Sequence, residues 1–445
     1  MNKSVKLSEI CKISGRVGWK GYTVEDLKTS GPWVIGANDI TANHTLDLSK
    51  AKHISREKYE ESPEIMIELN DILIVKVGST IGKIAIVHKD IGEACINPNT
   101  VLLKKCSINP FYLYYYLISS AGQAFIKNHS SASAQASLNQ TDLKEMPVII
   151  YDLKIQNQIA NSLNAFNLKI EVNNKINAEL EAMAKLIYDY WFVQFDFPFD
   201  FAQGKPDPNG KPYKSSGGKM VYNAALKREI PEGWEVKTIN ESVEKIIDHR
   251  GKTPKKLGGD WSNNKDDIIA LSAKIVKNGY LIKLEDANRV SKELFDKWMP
   301  EKLRDGDVLL TSEAPAGEMF FILGKTDYCM SQRLFALRAN PKVILPSLLY
   351  YEIAKGNAHF QIQGSLSGST VFGIRQDVLR TINVLVPNTK VQTQFDDKVL
   401  PILKKIKILV QQNQKLSELR DWLLPMLMNG QVTVANEELG ITNAE

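Results

Sequence analysis

At 445 residues the chain is too long for one ordinary hydrophobic core, so two or more domains are expected. Its 43% apolar and 24% charged residues exclude a disordered or fibrous chain, and no run approaches the ~18 unbroken apolar residues of a membrane span. The 56 Lys and Arg against 51 Asp and Glu leave a net charge of +5, which permits an acidic partner such as DNA without demanding one.

The chain opens with MNKSVKLSEICKISG, which lacks the apolar stretch of a secretion signal, so the cytoplasm is the expected compartment. Cys11, Cys95, Cys106 and Cys329 are scattered without a C-x-x-C pair, which favours reduced thiols over a metal site or disulfides. Residues 1–151 alternate short β-like runs with turns and read as a first domain. Ser14 to Gly21 is a loop of glycine, basic and aromatic residues. Asn70 to Gly82 reads as a strand and a Gly/Ser/Thr turn, followed by a strand from Lys83 to Val87. Phe111 to Ile118 suggests a short helix, Ser130 to Asn139 a small-polar loop, and Glu145 to Ile150 another strand.

Residues 152–196 read as a helical spacer. Its seam runs Ile159, Leu163, Phe166, Ile170, Asn173, Asn177, Leu180, Ala184, Ile187 and Trp191, alternating steps of four and three over more than four heptads. Residues 197–232, with a Gly/Pro/Lys/Ser-rich run from Gln203 to Lys219, read as a linker. Residues 233–387 repeat the first domain loosely. Asp307-Val308-Leu309-Leu310-Thr311-Ser312 falls 236 residues after Asp71-Ile72-Leu73-Ile74-Val75-Lys76, and Gln363 to Phe372 replaces the Ser/Ala loop. Residues 388–430 repeat the spacer, with Phe395, Val399, Ile402, Ile406, Leu409, Asn413, Leu416, Arg420, Leu423 and Leu427 in its seam. Asn177 thus matches Asn413. Residues 431–445 form a polar tail.

The expected fold is α+β: two similar mixed α/β domains separated by two long antiparallel coiled-coil helices, an internal repeat with pseudo-two-fold symmetry. The helix-pair core would be Leu163, Phe166, Ile170, Asn177, Leu180, Val399, Ile402, Ile406, Leu409, Asn413 and Leu416. Two unrelated amphipathic helices are the plainer alternative. Helices of roughly 40 residues far exceed the globular mean of ~11–12. Asn in an apolar seam destabilises it unless it fixes register or partner choice.

A helix of about 40 residues spans ~60 Å, long enough to keep two recognition surfaces apart. Duplex DNA suits such a ruler, because a two-fold protein reads half-sites about one helical turn (~34 Å) or a multiple apart. The domains would lean inward to meet that spacing, and their differing loops predict two different half-sites. Arg and Lys bond guanine or phosphate, Gln and Asn read adenine, and Ser and Thr take phosphates. On that chemistry the first domain offers Arg16, Trp19, Lys20, Lys76, Ser79, Thr80, Ser133, Gln135 and Asn139. The second offers Arg250, Lys252, Thr253, Lys255, Ser312, Gln332, Arg333, Ser365, Ser367, Ser369 and Thr370. Ordinary solvated loop residues are the alternative for each.

Catalytic signals are weak. Gly251-Lys252-Thr253 matches the end of a P-loop, but position 246 is Ile where that motif needs Gly. Asn97-Pro98-Asn99 shares only two letters with an amino-methyltransferase tetrad. Asp207, Glu235 and Lys237 satisfy the letters of a metal-dependent nuclease, yet Asp207 lies in the Pro/Gly run. The six histidines show no ligand spacing. The reading is therefore a DNA-recognising scaffold without catalytic residues, metal or cofactor. The alternatives are a self-contained Mg-dependent restriction nuclease with duplicated reading domains, and a coiled-coil adaptor indifferent to DNA.

Four stretches carry a family resemblance: NAELEAMAKLIYDYWFVQFDFP at 177–198, NGKPYKSSGGKM at 209–220, EIPEGWEV at 229–236, and LSELRDWLLPMLMNGQ at 416–431. In these the chain resembles the specificity subunit of type I restriction–modification systems, over essentially its whole length. The resemblance implies two target-recognition domains and a bipartite, asymmetric target. It also implies two modification (methyltransferase) subunits docked on the chain, with restriction (ATP-dependent translocase/nuclease) subunits joining them. S-adenosylmethionine, ATP and Mg²⁺ would belong to those partners. The methyltransferase would flip an adenine out of the duplex, and this chain would fix which one. Docking surfaces are expected on the helix pair and its flanks. Tyr188, Tyr190, Trp191, Phe192, Trp422 and Leu424 are the candidates, with closure of the adjoining cores as the alternative role.

Overall fold

The structure is a computed structural model that describes residues 3–15, 21–131, 136–249, 251–313, 315–324, 326–366 and 373–432. The chain forms two compact units, residues 1–173 with 412–445, and residues 174–411. Two long helices, Leu153–Tyr188 and Thr389–Met428, each contribute to both units.

The first unit is built on an antiparallel sheet in the order Lys12–Ser14, Thr100–Lys104, Ile72–Val75, Ile84–Ile86. Strand Ile72–Val75 is apolar throughout because both of its faces are covered. Ile72 and Ile74 face one core with Val101 and Leu103. Leu73 and Val75 face another with Ala85 and Leu102. Alternation of side chains across a strand sends successive residues to opposite sides, so two-sided burial replaces the polar–apolar pattern. A second sheet, Lys52–Ile54, Leu27–Ile35 and Ala94–Ile96, covers the latter side. Helix Pro110–Ile118 starts where its chemistry dictates: Pro110 fills the first turn, and the Asn109 side chain accepts from the Phe111 and Tyr112 amides.

The second unit repeats this plan. Its sheet runs Val243–Asp248, Leu334–Ala339, Val308–Thr311, Met319–Phe321, again antiparallel, and Val308 and Leu310 face one core while Leu309 faces another. Adding 236 to a residue number carries Ile72 to Val308, Pro110 to Pro346, Gln140 to Gln376 and Leu153 to Thr389, each the first residue of its element. Both repeats bury an ion pair at the sheet. Lys104 Nζ lies 3.3 Å from Asp71, and the Arg338 guanidinium makes two bonds to Asp307 at 2.9 and 2.8 Å.

Within the first unit the two helical segments run antiparallel. Asn173 Nδ2 donates to Asn413 Oδ1 (2.8 Å) and Gln412 Oε1 (2.9 Å), Arg420 donates to Asn167 (2.8 Å), and the Tyr151 hydroxyl donates to the Met428 carbonyl (3.0 Å). Leu424, Leu427 and Met428 complete one core with Ile159 and Leu163. In the second unit Phe395 and Val399 share a core with Ala184 and Tyr188. Every seam residue of both heptad runs is buried or half-buried. The asparagines that meet are Asn173 and Asn413, not the repeat-matched Asn177 and Asn413, because antiparallel neighbours are set by crossing and not by a constant offset. Asn177 is buried with its carbonyl oxygen unpartnered. The second helix runs through Pro401 and Pro425, which leave the Asp397 and Asp421 carbonyls without their helical donors.

Residues 197–232 depart from the linker expectation. Pro198–Asp200 pairs with Lys205–Pro206 and Lys211–Pro212, and Met220–Asn223 pairs with Arg228–Pro231. Phe197 stacks on Tyr213 at 4.7 Å and on Trp234 at 5.0 Å, inside the core of the second unit. The Pro and Gly residues make the turns of a folded insertion. Among the described residues no helix is long and apolar enough to cross a membrane.

Candidate nucleic-acid interface

In each domain the strand central to the sheet ends in a turn that is zipped to two other loops. In the first, Lys76 N–H donates to the Asn99 carbonyl (2.8 Å), Leu138 N–H to the Lys76 carbonyl (2.8 Å) and Gly78 N–H to the Ala136 carbonyl (2.9 Å). Val77 bridges Ser137. Gly78 has a φ of +99°, a conformation that favours glycine at this turn. The Asn97 side chain accepts from Asn99 N–H (3.0 Å) and the Thr100 hydroxyl (3.1 Å), which fixes the second loop. Ser79 and Asn139 are exposed, and Lys76 and Thr80 half-buried. Burial lowers the pKa of the Lys76 ammonium. Arg16, Trp19, Lys20, Ser133 and Gln135 lie outside the described residues.

The second domain uses the same frame. Ser312 N–H donates to the Arg333 carbonyl (2.9 Å), Ile374 N–H donates to the Ser312 carbonyl (2.9 Å), and Glu313 bridges Gly373. A Cβ at Gly373 would stand 2.9 Å from the Ser312 carbonyl oxygen and 2.8 Å from Glu313 Cγ, so this close approach needs glycine. Arg333 has a φ of +68°, and its Nε lies 3.5 Å from a Glu313 carboxylate oxygen. Beside the frame opens a cleft of about 1040 Å³, lined by Lys252, Thr253, Lys255, Lys274, Lys283, Trp261, Trp298 and Gln332 among others, with Asp260 and Asp286 as its acidic residues. Gln332 Nε2 donates to the Lys252 carbonyl (2.8 Å) and Lys252 Nζ to the Trp298 carbonyl (3.2 Å), which fixes the rim. His249, just before it, is buried with both ring nitrogens unpartnered. Desolvation, helped by the Lys252 charge, pushes its pKa down to about 4.

The cleft brings Lys252, Thr253, Lys255 and Gln332 together, and Arg333 follows Gln332 on the adjoining loop. Ser312 is a correction: it is buried, so its unpartnered hydroxyl cannot reach a ligand at the surface. Ser365 closes helix Asn357–Gly364, its N–H donating to the Ile362 carbonyl (3.0 Å). Arg250, Ser367, Ser369 and Thr370 lie outside the described residues. Sequence reasoning missed Asn97 and Asn99, and Lys274, Lys283 and Trp261 of the cleft. Asn99 is reached by carrying Arg333 back through the repeat with an offset of 234, two short of the 236 that relates the other elements, because Leu103 pairs with Ile72 as Leu337 pairs with Val308.

The aromatic cluster is a second correction. Tyr188, Trp191 and Phe192 are buried in the second unit, where Phe395 packs within 4.9 Å of Phe192 and 6.1 Å of Trp191, so they are core and not docking surface. The Tyr188 hydroxyl donates to buried Glu352 at 2.6 Å. Leu424 is core in the first unit. Tyr190 and Trp422 keep exposed surface. The nuclease letters do not gather chemically either: Asp207 accepts from Asn209 N–H within a turn (2.8 Å), and Glu235 pairs with Lys237 (2.9 Å).

The family model described as type I restriction modification DNA specificity domain matches residues 2–182 and 231–418. The MjaIX specificity subunit of a type I restriction enzyme from Methanocaldococcus jannaschii is 22% identical, over 92% of this chain and 88% of that one. The HindI specificity subunit from Haemophilus influenzae is 21% identical, over 93% of this chain and 99% of that one. Among solved structures, the type I restriction–modification S subunit from M. genitalium aligns over 96% of both chains with a TM-score of 0.56 at 14% identity, a likeness of fold.

Proposed function

The chain belongs to the type I restriction–modification DNA specificity family, and we propose that its two zipped-loop frames each read one half of a bipartite duplex target. It is the DNA-recognition subunit of the complex and is not itself the catalyst. The observation that carries the two-part reading is the frame itself: the same backbone bonds at Lys76–Asn99 and Ser312–Arg333, with different side chains on them. A shared frame with divergent side chains suits two different half-sites. In the second domain, Lys252, Lys255, Lys274 and Lys283 hold phosphates while Gln332 and Arg333 face bases. In the first, Lys76 meets phosphate beside Ser79, Thr80 and Asn139, and Arg16, Trp19, Lys20, Ser133 and Gln135 extend that surface. The heptad segments act as spacers between domains 1–151 and 233–387.

Two copies of one partner fit the exposed helix surface. Val172, Leu419 and Trp422 of the first unit are exposed, and 236-residue equivalence relates them to exposed Ile408, Met183 and Leu186 of the second. Exposed apolar residues repeated at equivalent positions suit two identical docking surfaces. On this reading each binds a modification subunit, restriction subunits join the assembly, and S-adenosylmethionine, ATP and Mg²⁺ belong to those partners in the cytoplasm.

The test replaces residues 233–387 with the matching domain of a relative, in the complete system, and maps methylated adenines. One half-site changes and the other stays. Changes in both halves, or in neither, refute one domain per half-site.

A further inference from the structure

The two frames can be compared position by position. Ser312 N–H bonds the Arg333 carbonyl as Lys76 N–H bonds the Asn99 carbonyl, so Arg333 stands where Asn99 stands. Glu313 bridges Gly373 as Val77 bridges Ser137, so Glu313 stands where Val77 stands. Each frame therefore offers two side chains from neighbouring loops at one place. Arg333 and Asn99 are exposed; Glu313 and Val77 are half-buried.

The chemistry of the pairs differs in a matched way. Arg333 touches Glu313 through Nε at 3.5 Å, with side-chain exposures of 55% and 40%. That contact engages one edge of the guanidinium and leaves the two Nη groups for another acceptor. A guanine offers O6 and N7 to such a fork, and a carboxylate accepts from the N4 amine of the paired cytosine. In the first domain an Asn amide can both accept from adenine N6 and donate to N7, and an apolar side chain suits the thymine methyl. Val77, next in the chain to the Lys76 that bonds the Asn99 carbonyl, and Asn99 supply those two groups.

We propose that positions 313 and 333 read one G·C pair in the half-site of the second domain, and that positions 77 and 99 read one A·T pair in that of the first. This rests on the DNA-reading role assigned above to the zipped loops. Arg333 has a left-handed backbone and an exposed side chain, and the Glu313 contact limits its rotamers before DNA arrives. Pre-ordering of that kind reduces the entropy lost on binding.

The test uses the full complex with its modification subunits. Methylated sites are mapped for the natural chain, for Arg333→Ala, for Arg333→Lys, and for Glu313→Val combined with Arg333→Asn. Arg333→Ala should relax one formerly G·C position and leave all other positions of both half-sites intact. Arg333→Lys, which keeps the charge but loses the fork, should relax it less. The double variant should move that position toward A·T. Binding of each complex to four duplexes differing only at that base pair covers variants too weak to methylate. Discrimination should fall on the order of 10- to 100-fold. An unrelaxed position, or loss spread evenly over all four duplexes, overturns the proposal. Exchange of residues 233–387 separates the two failures. If exchange alters a half-site while Arg333→Ala relaxes nothing, the pair assignment is wrong; if exchange alters nothing, the domain does not read DNA.

Discussion

Arg338 and Asp307 form a two-bond ion pair in the interior of the second domain, at 2.9 and 2.8 Å, and Lys104 and Asp71 occupy the same place in the first. Arg338 also bonds the Lys302 carbonyl (2.8 Å) and Glu301. Removing one partner leaves a buried charge unpaired, which destabilises by about 3–5 kcal/mol. Arg338→Ala should therefore lower the denaturation midpoint strongly, with Arg338→Lys intermediate because a point charge cannot satisfy both oxygens. A midpoint within error of the natural chain would show that the pair contributes little. Glu301 adds a pH signature. Its bonds to Arg338 and Lys245 hold its pKa at about 2, below the ordinary 4.5. A depressed carboxylate stabilises the fold above pH 4.5, and that contribution fades as pH falls toward 2. Glu301→Gln should flatten acid unfolding across that window.

His249 should make stability depend on pH in a higher range. Its folded pKa of about 4 lies below the ordinary 6.5, so between those values the unfolded chain binds the extra proton. Stability from this group is whole above pH 6.5 and declines as pH falls toward 4. His249→Phe should remove that slope in a pH series of thermal unfolding. A slope that survives the substitution assigns it to another group.

Tyr188→Phe separates core from docking surface. The change strips Glu352 of a 2.6 Å donor, leaving the Leu385 N–H bond at 3.1 Å. Loss of a buried partner costs about 1–3 kcal/mol. The chain alone should melt earlier, while the complex that does form binds its partner subunits unchanged. Unaltered melting with weakened assembly would return Tyr188 to an interface.

Asn177→Leu should stabilise the chain. Its buried carbonyl oxygen has no partner. Removing an unsatisfied amide from an apolar seam should gain about 1–3 kcal/mol. Asn173→Leu should act oppositely, because it breaks the bonds to Asn413 and Gln412. Equal signs for both substitutions would defeat this account.

Lys76→Ala should weaken duplex binding by the assembled complex and reduce the slope of log K against log salt by about 1, if the ammonium meets phosphate. An unaltered slope removes Lys76 from the phosphate contacts.

The helix pair was legible because a period of alternating fours and threes survives any loop variation. The strands were legible at Ile72–Val75 and Val308–Thr311, where two-sided burial writes an unbroken apolar run. Position 197 shows what was not legible. Phe197 belongs to an aromatic stack whose partners, Tyr213 and Trp234, are distant in sequence, so the Gly and Pro turns between them looked like a tether. Tyr188 and Trp191 were ambiguous because large aromatics fill cores and interfaces alike. At the reading loops, residue type named Arg333 and Gln332, but Asn99 lies two residues out of the 236 register, and its carbonyl's bond to Lys76 is what places it opposite Arg333.

The first unit is assembled from distant parts of the chain. Leu424, Leu427 and Met428 close a core that Ile159 and Leu163 begin. On a ribosome making about 5–20 residues per second, those closing residues emerge on the order of tens of seconds after the residues they cover. The nascent first domain must wait with an apolar strip uncovered while the second is synthesised. Truncation before residue 412 would therefore damage the domain made first, and would leave the one made last with its own helical segments complete.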